Sequence, residues 1–382
     1  MSPKSKRDMV RVVRPRYQKA TREQKSRILD EFCATTGYHR KYAIGLLNSD
    51  ERKPGAGRRR KRKPKYSAKT IKALTKIWKA AGYPCSARLK ALLPLWLPWA
   101  KEHIPELSGK VEKQLLEISS RQMDRRLSSA KRAAGRRMYG RTKPGTLLKH
   151  HIPVKTDNWD VDSPGFAEID LVSHSGNNGS GEFIHSLNLT DIHSGWVETK
   201  AVMGKGQTGV LDAIVEMRAH IPFGLCGIDS DNGSEFLNHH LYKYCQEHDI
   251  QFTRGRPYKK DDNAHIEQKN WTHVRKLLGW ERYDTNKALE AINDLYRNEL
   301  RLMMNLFQPS VKLVRKTRVG SRIVRRYDQP QTPLDRLKAS GHADPDKLAA
   351  LLTLRGQTDP FKLSRTIERK LERIYKLAKY CR

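Results

Sequence analysis

The chain has 382 residues, with 75 Lys or Arg against 41 Asp or Glu, so its formal net charge at pH 7 is +34. Hydrophobic residues make up 37% of the chain, but no run approaches the roughly 18 uncharged apolar residues of a membrane span, and the N-terminus has no apolar stretch of signal-peptide length. The 5 scattered cysteines argue against a disulfide framework and a Cys-x-x-Cys zinc site and suit a reducing cytosol.

The positive charge is concentrated at the start of the chain. Residues 1–150 carry 40 basic and 11 acidic side chains, whereas residues 151–250 carry 5 basic and 15 acidic ones. A net charge of +29 over the first 150 residues attracts a polyanion such as DNA or RNA; a merely soluble basic protein is the alternative. Because carboxylates repel phosphates, the acidic segment behind this arm predicts a divalent metal.

Residues 1–50 predict two short helices joined by a tight turn. Residues 35–37 (TTG) break the first helix, and a second one begins near His39. This pattern is typical of a helix-turn-helix, in which His39, Arg40 and Lys41 would open the recognition helix and contact DNA bases. An ordinary helical hairpin is the alternative.

Residues 51–66 are rich in Lys and Arg and contain Pro and Gly, so they predict a linker. We expect its basic run to follow the phosphate backbone or a minor groove, with a solvated spacer as the alternative. The basic residues expected to contact DNA are Arg58, Arg59, Arg60, Lys61 and Arg62.

Residues 67–130 predict a second helical region, helix-turn-helix-like, in which the apolar stretch 88–100 is interrupted by Pro94 and Pro98. Its last helix projects three arginines that we expect to contact DNA: Arg121, Arg125 and Arg126. Residues 131–155 return to a basic linker punctuated by Gly and Pro.

Residues 156–305 change to strands alternating with helices. The predicted strands are 166–172, 182–189, 196–202, 224–229 and 251–254, and the predicted helices are 208–219, 238–248 and about 264–278. Three early strands followed by helix–strand alternation predict an α/β domain, a mixed sheet with flanking helices of the ribonuclease H-like kind.

Three acidic residues fall where such a sheet would bring them together. Asp170 lies in the first strand, Asp231 just past the fourth, and Glu267 near the start of the long helix, with 35 residues (232 to 266) between the last two. Converging carboxylates repel one another unless a cation joins them, and oxygen-only ligands select Mg²⁺ or Mn²⁺ over Zn²⁺. Two such ions, about 3.5–4 Å apart, suit phosphoryl transfer.

The segments FAEIDLV, LTDIHSGWVE, GIDSDNGSEF and TRGRPYKKDDNAHIEQKNW resemble the integrase-core transposases of bacterial insertion sequences, relatives of retroviral integrases with a D,D-35-E triad. The resemblance covers about residues 150–335, and a helix-turn-helix arm is usual in that family. It implies that Asp170, Asp231 and Glu267 are the catalytic residues and bind Mg²⁺ or Mn²⁺, two ions per active site.

Several neighbours of the triad are expected to support it. Asp229 and Asn232 flank Asp231, and Asn270 shares the helix face of Glu267. Direct metal binding by Asp229 is the alternative for that residue. Trp271 is expected in the core.

The loop before the long helix is basic. We expect it to contact the DNA end, with a solvated turn as the alternative. The basic residues of this loop that we expect to contact DNA are Arg254, Arg256, Lys259 and Lys260.

Two regions follow the core. Residues 306–335 alternate apolar and basic residues around Gly320-Ser321 and predict a small β module with a basic face for DNA. Residues 336–382 form a basic helical tail, whose segment 360–380 is amphipathic. That segment either packs on the core or contacts DNA or a second subunit.

The expected function is therefore transposition. The protein would bind the terminal inverted repeats of its mobile element, cleave the double-stranded DNA at each end, and join the resulting 3′-hydroxyl to target DNA. Because two ends must be joined, we expect a homodimer or a higher assembly on DNA. We expect no membrane partner and a location in the bacterial cytoplasm, at the nucleoid. The alternatives are a catalytically inactive, domesticated transposase acting as a DNA-binding regulator, and a ribonuclease H or Holliday-junction nuclease.

Overall fold

The structure of the protein is a computed structural model that describes residues 1–49, 65–138, 161–230, 235–236, 238–254, 264–319 and 322–379. The contacts between residues divide the chain into two units, Met1–Lys65 and Tyr66–Arg382. Among the described residues, none of the helices combines the length and the apolar character that crossing a bilayer requires.

The described part of the first unit, residues 1–49, contains three helices: α1 (Pro3–Lys19), α2 (Arg22–Thr36) and α3 (Arg40–Asn48). Thr21 and Gln24 form a capping box at the start of α2, and Gly37 ends it in the left-handed conformation with a φ of 70°. The helices enclose their own apolar cluster, which contains Val10, Tyr17, Ile28, Leu29, Phe32, Ala43 and Leu47.

The second unit begins with four helices: α4 (Ala68–Ala80), α5 (Ser86–His103), α6 (Gly109–Glu117) and α7 (Ser120–Met138). Helix α5 continues through Pro94 and Pro98, the two prolines that interrupt the apolar stretch 88–100 in the sequence. A proline inside a helix costs about 3 kcal/mol. Full burial of α5 side chains such as Leu93 and Trp96 offsets that cost.

A five-stranded mixed sheet forms the centre of the second unit, with the order β3-β2-β1-β4-β5. Its strands are β1 (Phe166–Ser173), β2 (Ile184–Asp191), β3 (Val197–Met203), β4 (Gly227–Ser230) and β5 (Gln251–Arg254). The first three strands are antiparallel, and β4 and β5 run parallel to β1. Helices α8 (Gln207–His220) and α9 (His239–Glu247) alternate with the later strands. The predicted α/β, ribonuclease H-like fold class is confirmed.

Helical structure continues after the sheet and includes π-helical turns. The segments are α10 (Ala264–Lys269), π1 (Asn270–Arg275), α11 (Lys276–Leu278), α12 (Asn286–Leu295), π2 (Tyr296–Leu300) and π3 (Met303–Phe307). The predicted long helix at 264–278 therefore has a π-helical middle. π-Helical turns inside α-helices are frequent at functional sites.

The last part of the unit contains a two-stranded sheet and three helices: β6 (Leu313–Val319), β7 (Arg322–Tyr327), α13 (Pro333–Ser340), α14 (Pro345–Gln357) and α15 (Pro360–Lys376). The apolar side of α15 packs against α5 and α12, and the rings of Phe361 and Trp96 lie 5.0 Å apart. The tail helix thus packs on the core. One hydrophobic cluster joins α4–α7, the mixed sheet and α15.

Gly165 fixes the approach of β1 to β4. Its φ is 125°, and an added Cβ would lie 2.6 Å from the Gly224 carbonyl oxygen and 2.9 Å from the Cys226 sulfur. We expect Gly165→Ala to lower the free energy of unfolding by roughly 2–4 kcal/mol through backbone strain and overpacking. Urea unfolding would measure it. Gly224→Ala is the control, because its added Cβ would meet no atom within 4 Å; equal losses in both variants would contradict the argument.

His174 is fully buried after β1, and its Nε2 lies 2.8 Å from the Ser186 hydroxyl. Burial, followed by the charge of Arg275, lowers the pKa of His174 to about 3. The unfolded chain, in which the pKa of histidine is about 6.5, therefore binds this proton first as the pH falls. The His174 contribution to the free energy of unfolding is fully present above about pH 6.5 and is lost towards pH 3, by about 1.4 kcal/mol per pH unit.

We expect His174→Gln, which is uncharged at every pH, to have a shallower loss of stability between pH 6 and 4 than the wild type. Urea unfolding at intervals of one pH unit would measure the slope. The control is His240→Gln at an exposed position, which should retain the wild-type slope. Identical slopes for the wild type and His174→Gln would refute the assignment.

Candidate active site on the mixed sheet

Asp170 lies on β1, the central strand of the sheet, between β2 and β4. Side chains alternate along a strand, so Asp170 and Glu168 share one face while Ile169 is buried on the other. The Asp170 carboxylate is half-buried. Its Oδ1 accepts a hydrogen bond from the Leu171 amide (2.8 Å), and its Oδ2 accepts one from the Asn270 side-chain amide (2.6 Å).

A chain of hydrogen bonds crosses three strands and ends at Asp170. The Thr199 hydroxyl donates to the Asn188 Oδ1 (2.7 Å), the Asn188 Nδ2 donates to the Asn270 Oδ1, and the Asn270 Nδ2 donates to Asp170. Asn188 is fully buried and lies directly opposite Asp170 in the β1–β2 register. Since every donor points towards the carboxylate, this chain, the asparagine relay, fixes the orientation of the Asp170 side chain.

Glu168 attaches helix α10 to the same strand. Its carboxylate is 3% exposed and accepts a hydrogen bond from the Ile266 amide (2.9 Å) in the first turn of α10. A carboxylate at a helix N-terminus is favoured by the helix dipole and by the free amides there. Ile266 directly precedes Glu267, and α10 packs against β1 and β2, so the backbone of Glu267 lies on the sheet beside β1.

β4 runs next to β1 on the side away from β2. Asp229, 2% exposed, is aligned with Glu168 and accepts a hydrogen bond from the Thr253 hydroxyl (2.7 Å). The strand ends at Ser230, which is aligned with Ile169. Asp231 and Asn232 follow in the chain and lie outside the described residues.

The predicted triad is described only in part. The structure gives the side chain of Asp170 and the helical backbone of Glu267, so the convergence of the two with Asp231 stays a prediction. Asn270, predicted to support the triad, contacts Asp170 directly.

The prediction that Trp271 lies in the core is wrong, because its side chain is 53% exposed. The π-helical turn that begins at Asn270 alters the α-helical spacing on which that prediction depended.

The residues predicted to bind DNA lie on several elements. His39 is the N-cap of α3, and Arg40 and Lys41 are exposed in its first turn; Arg40 contacts Asp30 and, at 2.8 Å, Ser26. Exposed positions on α7 are Arg121, Arg125 and Arg126. Arg254 is the last residue of β5. Outside the described residues lie Arg58, Arg59, Arg60, Lys61, Arg62, Arg256, Lys259 and Lys260. All of these DNA contacts stay predictions.

Sequence reasoning missed four polar residues near the site: Glu168, Asn188, Thr199 and Lys269. Glu168 could have been found by alternation, since it lies two residues before Asp170 on one strand. The other three depend on strand register and tertiary contacts. The Lys269 ammonium donates to the Gly195 carbonyl (2.9 Å), and burial, followed by the charges of Arg88 and Arg336, lowers its pKa to about 7.

Among the described residues, three acidic side chains lie on the same face of the sheet as Asp170 or beside it: Glu168, Asp170 itself and Asp229. Oxygen ligands of this kind fit hard divalent ions such as Mg²⁺ or Mn²⁺. All three accept hydrogen bonds, but Glu168 and Asp229 are only 3% and 2% exposed, whereas Asp170 is half-buried. Of these three carboxylates, Asp170 is therefore the most accessible to an ion.

Comparisons with known proteins give one close relative. No family model matches the chain. Over 338 residues, 88% of this chain and 96% of the relative, it is 38% identical to the uncharacterised protein y4rM of Sinorhizobium fredii. The chain belongs to the y4rM family.

Among the solved structures to which this y4rM-family chain is similar are two integrase catalytic core domains. One is the catalytic core domain of BIV integrase, with a TM-score of 0.32 and 16% identity over 47% of this chain and 96% of that one. The other is the HTLV-2 integrase catalytic core domain in complex with magnesium, with a TM-score of 0.29 and 16% identity over 39% of this chain and 91% of that one.

Proposed function

We propose that the protein is a metal-dependent DNA transposase, which cleaves the ends of a mobile element and joins them to target DNA. The observation that carries this proposal is the setting of Asp170. Its carboxylate is oriented by Asn270 on the sheet face against which α10, the helix of Glu267, packs. β4 ends at Ser230, beside Ile169 and one residue before Asp231.

Asp170, Asp231 and Glu267 would hold Mg²⁺ or Mn²⁺, two ions per active site. When bound, these ions would lower the pKa of the attacking oxygen and stabilise the charge on the leaving oxygen. The protein's own contribution is to position the ligands. The asparagine relay orients the Asp170 carboxylate, and Glu168 fixes the first turn of α10.

The reaction has two steps that share one site. In the first, a water oxygen attacks the phosphorus at the element end, the bond to the 3′-oxygen breaks, and a 3′-hydroxyl is released. In the second, that hydroxyl attacks a target phosphodiester, so that one phosphodiester forms as another breaks. Because the number of phosphodiesters is conserved in the joining step, it requires neither ATP nor a covalent protein–DNA intermediate.

The first unit would supply recognition of the terminal inverted repeats. His39, Arg40 and Lys41 begin α3, and all three are exposed, as base contacts by a recognition helix require. Since two element ends must be joined together, the active form would be a homodimer or a larger assembly on DNA.

The test uses the full chain with labelled duplexes carrying the repeats that flank its gene. We expect nicking and strand-transfer products with Mg²⁺, their loss with EDTA, and their loss in Asp231→Asn and Glu267→Gln, which should still bind the duplex. Triad variants as active as the wild type would refute the proposal. Sequence-specific binding without cleavage in Mg²⁺ or Mn²⁺ would indicate a regulator, and preferential cleavage of an RNA–DNA hybrid or a four-way junction would indicate a nuclease.

A further inference from the structure

β6 and β7 form a separate two-stranded ribbon, and its composition is unusual. The two strands contain six Lys or Arg and no acidic residue. The side chains of Arg315, Arg325 and Arg326 are exposed, and Val314 is 69% exposed. A two-stranded ribbon is marginally stable by itself, so a ribbon of this composition requires support from elsewhere.

The register of the ribbon places like charges opposite one another. Arg315 is paired with Arg326, and Lys316 with Arg325. Like charges in direct cross-strand pairs destabilise a sheet. Within the described part of the chain, no carboxylate forms an ion pair with Arg315, Arg325 or Arg326. The charges of these three arginines are therefore not neutralised by the described part of the fold.

The base of the ribbon is firmly attached. The Lys312 amide donates to the Asp328 carboxylate (2.6 Å), and the Asp328 amide donates to the Lys312 carbonyl (2.9 Å). Arg336 of α13 donates to the Asp328 carboxylate (2.9 Å) and to the Ser310 carbonyl (2.8 Å). These bonds close the ribbon at the residues just outside β6 and β7.

The same base is joined to the turn between β2 and β3. Consecutive carbonyls of that turn each accept from a different cation: His193 from Lys312 (2.7 Å), Ser194 from Arg336 (3.5 Å) and Gly195 from Lys269 (2.9 Å). Lys269 is the last residue of α10, the helix of Glu267. Ribbon and candidate catalytic helix are thus held by one turn.

We propose that the β6–β7 ribbon binds duplex DNA, with Arg315, Arg325 and Arg326 contacting phosphates, at a position fixed relative to the candidate active site. The major groove, about 12 Å wide, admits a two-stranded ribbon, and a partner rich in phosphate would neutralise the opposed charges. The inference rests on the proposed function in one respect: it assumes that the DNA bound by the ribbon is the DNA that the active site cuts and joins.

The first experiment measures how the full chain binds a random-sequence 30-base-pair duplex in EDTA at several salt concentrations. For Arg315→Gln/Arg325→Gln/Arg326→Gln we expect affinity at low salt to fall on the order of 10-fold or more. The slope of log affinity against log salt should decrease by about 2–3, since each phosphate contact contributes about 0.9. Because the variant removes like-charge pairs, its Tm should not fall.

The matched control replaces three exposed cations elsewhere in the same unit, in Lys243→Gln/Lys338→Gln/Arg369→Gln. Its affinity for the duplex should change by less than about 2-fold, because we expect these three cations to contact no phosphate. An unchanged salt slope in the ribbon variant, or an equal loss in the control, would overturn the proposal.

The second experiment locates the DNA directly, by photocrosslinking with p-benzoylphenylalanine introduced at Val314 or, as a control, at Leu116, which is 45% exposed. We expect a duplex crosslink at Val314 only, and the same crosslink with Asp231→Asn in the chain. Loss of cleavage with the crosslink retained would count against the proposed function alone. No crosslink at Val314, or a preference there for single-stranded RNA or poly-glutamate over duplex DNA, would overturn the ribbon proposal.

Discussion

Asp170→Asn is expected to reduce metal-dependent DNA cleavage by roughly 10³-fold, the scale on which removing one preorganised electrostatic group acts. The amide has the size of the carboxylate but lacks the negative charge that a hard divalent ion requires. Its single oxygen can accept from only one of the two donors, Leu171 and Asn270, so the free energy of unfolding should fall by about 1 kcal/mol and DNA affinity should change little. Single-turnover cleavage of a labelled element end, with anisotropy for binding and thermal unfolding for Tm, would separate the three effects.

The control for Asp170→Asn is Asp212→Asn, at an exposed position on α8. It removes the same charge from the same unit and should cleave at the wild-type rate. If Asp170→Asn cleaves at a rate within about 10-fold of the wild type, the effect is too small for the loss of a metal ligand. That result would show that Asp170 does not bind the metal ion.

Asn270→Ala is expected to raise the Mg²⁺ concentration needed for half-maximal cleavage by roughly 10–100-fold, the usual effect of losing a residue that orients a metal ligand. The variant removes the donor that holds the Asp170 Oδ2 and interrupts the asparagine relay. Saturating Mg²⁺ should restore most of the rate. A Mg²⁺ titration of cleavage would measure the shift.

Asn298→Ala serves as the comparison for Asn270→Ala. Asn298 is exposed and bonds to Asp294, on the preceding turn of its own helix. Its Mg²⁺ dependence should match that of the wild type. If Asn270→Ala shows the same midpoint as Asn298→Ala, Asn270 does not orient a metal ligand.

Much of the fold follows from local sequence. The predicted strand 166–172 is one residue shorter than β1 at its end, and the predicted helix 208–219 is one residue shorter than α8 at each end. Both predictions succeed because alternation and helical periodicity are local signals. The continuation of α5 through Pro94 and Pro98 was not predictable in this way. It depends on burial of Leu93 and Trp96, which is a tertiary effect.

The candidate site was predictable as residue types but not as contacts. The acidic residue in β1 follows from its position in an apolar strand. The pairing of Asn188 with Asn270 required the β1–β2 register and the π-helical turn after Lys269, and neither leaves a pattern in one sequence. Trp271 shows the same limit, since its exposure depends on how that turn is wound.

The packing of α15 has a consequence for biosynthesis. Trp96 meets Phe361 in one cluster, so the second unit cannot complete its interior until Phe361 has left the ribosome. The first unit encloses its own cluster within 49 described residues and can fold while translation continues. A nonsense mutation ahead of Pro360 would thus leave the early unit intact beside an open, aggregation-prone remainder.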